Sequence, residues 1–141
     1  MSELLFNYRV KELTKIVDGD TIDVILDVGF DILYGVRIRL QGIDTPEKRT
    51  SDPIEKVFGY AATKRLTELI TDKNLVISTE LDGRGKFGRV LGTIYANGTN
   101  VNELMVFEHY AVAYHGQNKD DIEAEHLVNR GILLSEGKVV L

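Results

Sequence analysis

Apolar and polar residues alternate along two neighbouring runs, Thr21 to Val28 and Val36 to Ile43. Period-two alternation marks a strand with one buried face. Glycines bound the stretch between the runs, so the two are expected to pair as an antiparallel hairpin. Centring the hairpin on Ile32 sets Val24 against Leu40, Leu26 against Ile38 and Val28 against Val36, all apolar. The other face then pairs Asp23 with Gln41, Ile25 with Arg39 and Asp27 with Arg37. A slip of one residue would face apolar with polar side chains throughout. This register also brings Asp20 opposite Asp44 at the mouth of the hairpin.

Other elements follow from local signals. Tyr8 to Val17 reads as a first strand. Asp52-Pro53-Ile54-Glu55 reads as a helix start, with Asp at the N-cap, Pro in the first turn and Glu completing a capping box. The helix places Ile54, Val57, Phe58, Ala61, Leu66, Leu69 and Ile70 on one stripe and should end near Asp72-Lys73-Asn74. Leu75 to Leu81 and Arg89 to Ala96 are predicted strands around a glycine-rich loop, the second closed by Asn97-Gly98. Val101 to Glu108 is a predicted short helix and Ala111 to Tyr114 a short extended piece. A last helix, capped by Asp120 or Asp121, should reach about Ser135. Val139 to Leu141 is a further apolar end, suited to an added strand or an oligomer contact. The order suits an α+β chain: a five-stranded OB-fold-type β-barrel, curled at Gly42 and Gly92, with about three helices packed outside. Residues 1–141 are expected to form a single domain, with the barrel core at about 8–97 and a helical part at about 100–135.

Composition narrows the chemistry. Hydrophobic residues make up 43% of the 141, which excludes a disordered chain. Cysteine is absent, so disulfides and thiolate metal sites are excluded. Met1 to Arg9 has neither a basic leader nor a long apolar run, so a cytoplasmic protein is expected. Net charge is −5, which argues against a protein that coats DNA. The charge is unevenly spread: residues 36–90 hold 11 Lys/Arg against 8 Asp/Glu, and the rest hold 6 against 14.

Two acidic motifs carry the candidate chemistry, Val17-Asp18-Gly19-Asp20-Thr21 and Gly42-Ile43-Asp44-Thr45-Pro46-Glu47. Either alone is an ordinary turn. Brought together, Asp20 and Asp44 become candidate ligands of a hard divalent cation, with the Thr45 carbonyl as a neutral oxygen. Glu47, just past the turn, can accept a proton from water. Arg39 lacks an acidic partner in the expected register, and Arg89 ends the glycine-rich loop. Two guanidiniums and a cation aimed at a phosphodiester would stabilise its extra charge during attack. Arg39 and Asp44 differ by an odd number, so a bend near Gly42 is needed to turn them to one site. Lys86 is a candidate phosphate contact, and Tyr114 could stack on a base. His126 reads as a structural helix residue.

These motifs in order, together with Lys86-Phe87-Gly88-Arg89 and Val101-Asn102-Glu103, resemble the staphylococcal nuclease (thermonuclease) family over roughly residues 8–130. The resemblance implies a metal-dependent nuclease that hydrolyses phosphodiester bonds of DNA or RNA to 3′-phosphate and 5′-hydroxyl ends. It implies Ca²⁺ as the ion, with Mg²⁺ or Mn²⁺ as alternatives. Asp20, Asp44 and Thr45 match the metal ligands, and Arg39, Glu47 and Arg89 match the catalytic set. Lys86, Phe87 and Tyr114 fall near nucleotide-binding positions. Phe87 stands where a Tyr is common, a second aromatic after Tyr114 is missing, and the C-terminus lacks a Trp. The missing leader suggests an intracellular or phage-type member. The competing reading is a non-catalytic OB-type module that binds nucleic acid or protein.

Overall fold

The computed structural model describes residues 6–81 and 90–141. Strands β1 (Asn7–Asp18), β2 (Thr21–Asp27) and β3 (Leu33–Leu40) form an antiparallel meander. Strands β5 (Leu75–Leu81) and β6 (Val90–Ala96) follow helix α1 (Pro53–Ile70). β5 pairs with β1, β6 pairs with β5, and β6 closes on β3 in parallel. The result is a closed five-stranded barrel. Three register shifts along β1 coil its twelve residues around the barrel. Gly92 lies at the closure, paired with Leu40, where a Cβ would strike Ile38 and Ile77.

The short strands β4 (Ile43–Asp44) and β8 (Val112–Ala113) pair with each other outside the barrel sheet. β7 (Thr99–Asn100) leads into α2 (Val101–Phe107), and α3 (Lys119–Ser135) ends the helical part. The even-numbered face of the hairpin, with Ile22, Val24, Leu26, Ile38 and Leu40, is buried in the main core. Burying side chains of this size stabilises by about 1.5–3 kcal/mol each.

The hairpin register departs from expectation. Val24 pairs with Val36, Ile22 with Ile38 and Thr21 with Arg39, so the turn is centred on Phe30 rather than Ile32. Val24–Leu40, Leu26–Ile38 and Val28–Val36 are therefore not partners, and Asp20 does not lie opposite Asp44 in the ladder. The buried face is nevertheless the one expected, because a slide by an even count preserves it. The turn decides the register. Asp27 accepts the Gly29 N–H at 2.9 Å, and Phe30 and Asp31 both take positive φ. Asp23, not Asp27, then meets Arg37 in a two-pronged ion pair at 2.7 and 3.1 Å. Hydrogen bonding to Arg37 holds the Asp23 carboxyl below the usual carboxylate range.

Helix α1 starts as expected, with Asp52 Oδ1 accepting from the Ile54 and Glu55 N–H groups. Glu55 does not close the capping box; it accepts from the Glu47 N–H and from Thr50 Oγ1. The buried stripe of α1 is Phe58, Ala62, Leu66 and Ile70, while Ile54 is exposed. Asn118, not Asp120 or Asp121, caps α3, leaving both acids in its first turn where the helix dipole favours them. Beyond α3, Val139 packs on Phe58 and Leu133, while Val140 and Leu141 are exposed. No described helix is long and apolar enough to cross a membrane.

Candidate functional site

The site forms where the β1–β2 turn meets the end of β3. Asp20 is buried in that turn, and its backbone carbonyl accepts the Leu40 N–H at 2.7 Å. Its Oδ2 accepts the N–H of buried Thr45 at 3.1 Å, and its Oδ1 accepts the Thr21 hydroxyl at 3.0 Å. The first acidic motif is thus bonded to the second, although the two acids are not ladder partners.

The bend required at Gly42 is present. Gly42 has φ +76°, a conformation that favours glycine, and β4 leaves the barrel sheet there to pair with β8. The Tyr114 N–H donates to the Gly42 carbonyl at 2.8 Å. Asn102, buried at the start of α2, donates to the Gln41 and Gly92 carbonyls and accepts the Ile94 N–H. One side chain therefore ties the bend to the barrel closure.

Arg39 sits inside this bend. Its Nη1 donates to the Leu40 and Ile43 carbonyls at 3.1 and 3.0 Å. Nη1 also stands 3.4 Å from Asp20 Oδ2, and Nη2 stands 3.6 Å from Asp44 Oδ1. Two carboxylates far apart in sequence therefore share one cation, the guanidinium. On the other side of Asp44, His126 of α3 brings Nε2 to 2.8 Å from Oδ2. A cleft of about 650 Å³ opens here, lined by Arg39, Asp44, Tyr114, His126 and Arg130 among others.

Glu47 is exposed beyond the Thr45-Pro46 turn. Its segment is held against α1 by the bond from its N–H to Glu55 Oε2 at 3.2 Å. Gly59 of α1 makes that approach possible, because a Cβ there would overlap the Glu47 carbonyl. Arg89, Lys86 and Phe87 lie outside the described residues. The structure thus brings Asp20, Arg39, Asp44 and Thr45 together, with Tyr114 in the same cleft. The sequence reading missed His126, Gly59 and Arg130. Their signals are contacts across long separations, which no local pattern displays.

The donor set fits a hard divalent cation. It offers two carboxylates and the neighbouring Thr45 carbonyl group, all oxygen, with no thiolate in the chain. Among the described residues no three His, Cys, Asp or Glu side chains form a ready cluster, so such an ion would share its two acids with Arg39.

The family model described as staphylococcal nuclease homologue matches residues 37–130, from β3 to the middle of α3. The chain belongs to the staphylococcal nuclease family. Among curated relatives of this family, an uncharacterized endonuclease of Escherichia coli is 34% identical over 111 residues, covering 78% of this chain and 64% of the relative. A micrococcal nuclease of Shigella flexneri is 35% identical over 113 residues, covering 73% of this chain and 57% of the relative. A thermonuclease of Staphylococcus intermedius is 29% identical over 107 residues, covering 76% and 59% respectively. The chain thus spans about six tenths of the length of these staphylococcal nuclease relatives. The family match takes in Arg39, Asp44, Thr45, Glu47 and His126.

Proposed function

We propose that this chain is a metal-dependent nuclease that hydrolyses phosphodiester bonds of DNA or RNA by in-line attack of water. The observation that carries the proposal is the convergence of Asp20 and Asp44 on the Arg39 guanidinium, with Asp20 buried beneath and Arg39 and Asp44 lining an open cleft. Asp20, Asp44 and the Thr45 carbonyl would hold the ion, and their oxygens suit a hard cation: Ca²⁺, or Mg²⁺ or Mn²⁺ in its place. A bound divalent cation supplies Lewis-acid polarisation of a phosphoryl oxygen.

The protein's own groups do the rest. Arg39 is fastened by two backbone carbonyls through Nη1, which fixes its guanidinium in the lining of the cleft. Charge that grows on the phosphoryl oxygens is met by a donor already in place. Glu47 takes the proton of the attacking water from its exposed position past the Thr45-Pro46 turn. Arg89 is assigned as the second phosphate arginine from its place in the sequence motif. Tyr114, in the cleft wall, suits a base or a phosphate. Lys86 and Phe87 are assigned to substrate from the same motif as Arg89. The P–O5′ bond breaks opposite the attacking water and the 5′ oxygen leaves, taking a proton from solvent, which gives 3′-phosphate and 5′-hydroxyl ends. Residues 1–141 act as one nuclease domain.

Incubating the protein with single-stranded DNA, duplex DNA and RNA, each with Ca²⁺, Mg²⁺, Mn²⁺ or chelator, tests the proposal. Ion-dependent cleavage with labelled 3′-phosphate ends is expected. Arg39→Ala, Glu47→Ala and Arg89→Ala should each reduce it by roughly 10²–10³-fold, the usual loss for one transition-state group. Full activity in any one variant removes that residue's role. Absence of cleavage with every ion would instead favour a non-catalytic binding module.

A further inference from the structure

Arg130 lies one helical turn beyond His126, so the two side chains share a face of α3 about 5–6 Å apart. Both line the cleft that contains Arg39 and Asp44. The Arg130 guanidinium carbon stands 5.5 Å from the centroid of the Phe58 ring, and Phe58 is itself buried. This cation–π contact with a buried ring restrains the guanidinium without using its N–H groups. Arg130 Nε is buried and has no hydrogen-bond partner. No carboxylate pairs with Arg130 among the described residues.

An arginine cannot discharge this cost by losing its proton. Nε is shut off from solvent, so a partner arriving from the cleft can reach only the terminal nitrogens of the fork, which have no acceptor among the described residues. The partner must be an acceptor and an anion. We propose that Arg130 binds the phosphodiester adjacent to the scissile one, as a second phosphate subsite on α3. The proposal rests on the nuclease reading of the cleft. One helical turn between His126, at the Asp44 carboxylate, and Arg130 is of the order of one nucleotide step. Glu55 and Glu123 line the same cleft and oppose free anions. The subsite therefore takes a phosphate delivered by a strand anchored elsewhere, and its effect grows with strand length.

The test measures binding of a labelled single-stranded oligothymidylate in chelator over a range of salt concentrations. Cleavage of dinucleotide and longer substrates with Ca²⁺ is measured alongside. For Arg130→Met, affinity should fall about tenfold, as for one charge-assisted hydrogen bond. The slope of log affinity against log salt should become shallower by about 0.7, the value for one single-strand phosphate contact. The cleavage penalty should be larger on the long substrate than on the dinucleotide. Arg130→Lys should keep the slope but lose part of the affinity, and it serves alone if the Met variant fails to fold by circular dichroism. An unchanged slope in the Met variant, a penalty independent of length, or full affinity in the Lys variant overturns the proposal. Wild-type protein that binds the strand yet never cleaves it refutes the nuclease reading while leaving the slope result to decide Arg130.

Discussion

Asp44 has its two carboxylate oxygens committed to different neighbours. Oδ1 faces Arg39 at 3.6 Å and Oδ2 meets His126 at 2.8 Å. A carboxylate held by a hydrogen bond on one oxygen presents the other in a fixed direction. Partners of this kind typically contribute 10–100-fold to ion affinity through the ligand that they orient. His126→Ala is therefore expected to weaken Ca²⁺ or Mn²⁺ binding by about tenfold or more, measured by calorimetric titration. His126→Gln should recover part of the loss, because its amide can still donate. Unaltered ion affinity in the alanine variant would show that the contact does not orient Asp44.

Among the elements, α1 sets the position of the Thr45–Glu47 turn. Its Gly59 faces the Glu47 carbonyl and the Lys48 nitrogen with no room for a methyl group. Its Glu55 holds the Glu47 N–H. At an ordinary helix position Gly→Ala stabilises by about 1 kcal/mol. Gly59→Ala should do the reverse, because the 47–48 backbone must move off the helix. The expected result is a lower melting temperature together with reduced turnover, since Glu47 is displaced as well. A more stable variant with full activity would show that Glu47 does not depend on this packing. The hairpin shows an element defined by its turn: Asp27 at Gly29 and the Asp23–Arg37 pair select one register among several that bury the same face.

Across the whole molecule, Asn102 of α2 joins two regions far apart in sequence, the end of β3 and β6. Its side chain connects the carbonyl before the Gly42 bend, the Gly92 carbonyl at the barrel closure and the Ile94 N–H. Arg65 of α1 makes a comparable link, gripping Glu108 at the end of α2 at 2.6 and 3.0 Å. Hydrogen bonding to Glu108 raises the Arg65 guanidinium above its ordinary value. Asn102→Ala leaves the buried Ile94 N–H without this acceptor, at about 1–3 kcal/mol, and frees the Gln41 carbonyl, while the Gly92 carbonyl keeps the Gln41 N–H. Global stability should fall by about 1–3 kcal/mol, read from denaturant unfolding. A loss below about 1 kcal/mol would mean that the barrel closes without this side chain.

Much of the fold was legible locally. Alternation in β2 and β3 gave the buried face, and Asp52-Pro53 gave the start of α1. The β5 bounds Leu75–Leu81 follow from an apolar run between turn signals. The odd separation of Arg39 and Asp44 demanded a bend, and Gly42 was the residue able to make it. The two acidic motifs marked the candidate site, because either alone is an ordinary turn and only their meeting around Arg39 sets them apart.

The sequence by itself determined which face of the hairpin is buried, where α1 begins, and which polar residues could do chemistry. These depend on neighbours a few positions away. The tertiary structure alone decided the hairpin register, since period-two alternation is indifferent to a slide by an even count. It also decided that Asp20 meets the second acidic motif through the Thr45 N–H and Arg39 rather than by facing Asp44. His126 reaches Asp44 across 82 positions because α3 packs along the cleft, a matter of docked surfaces and not of local pattern.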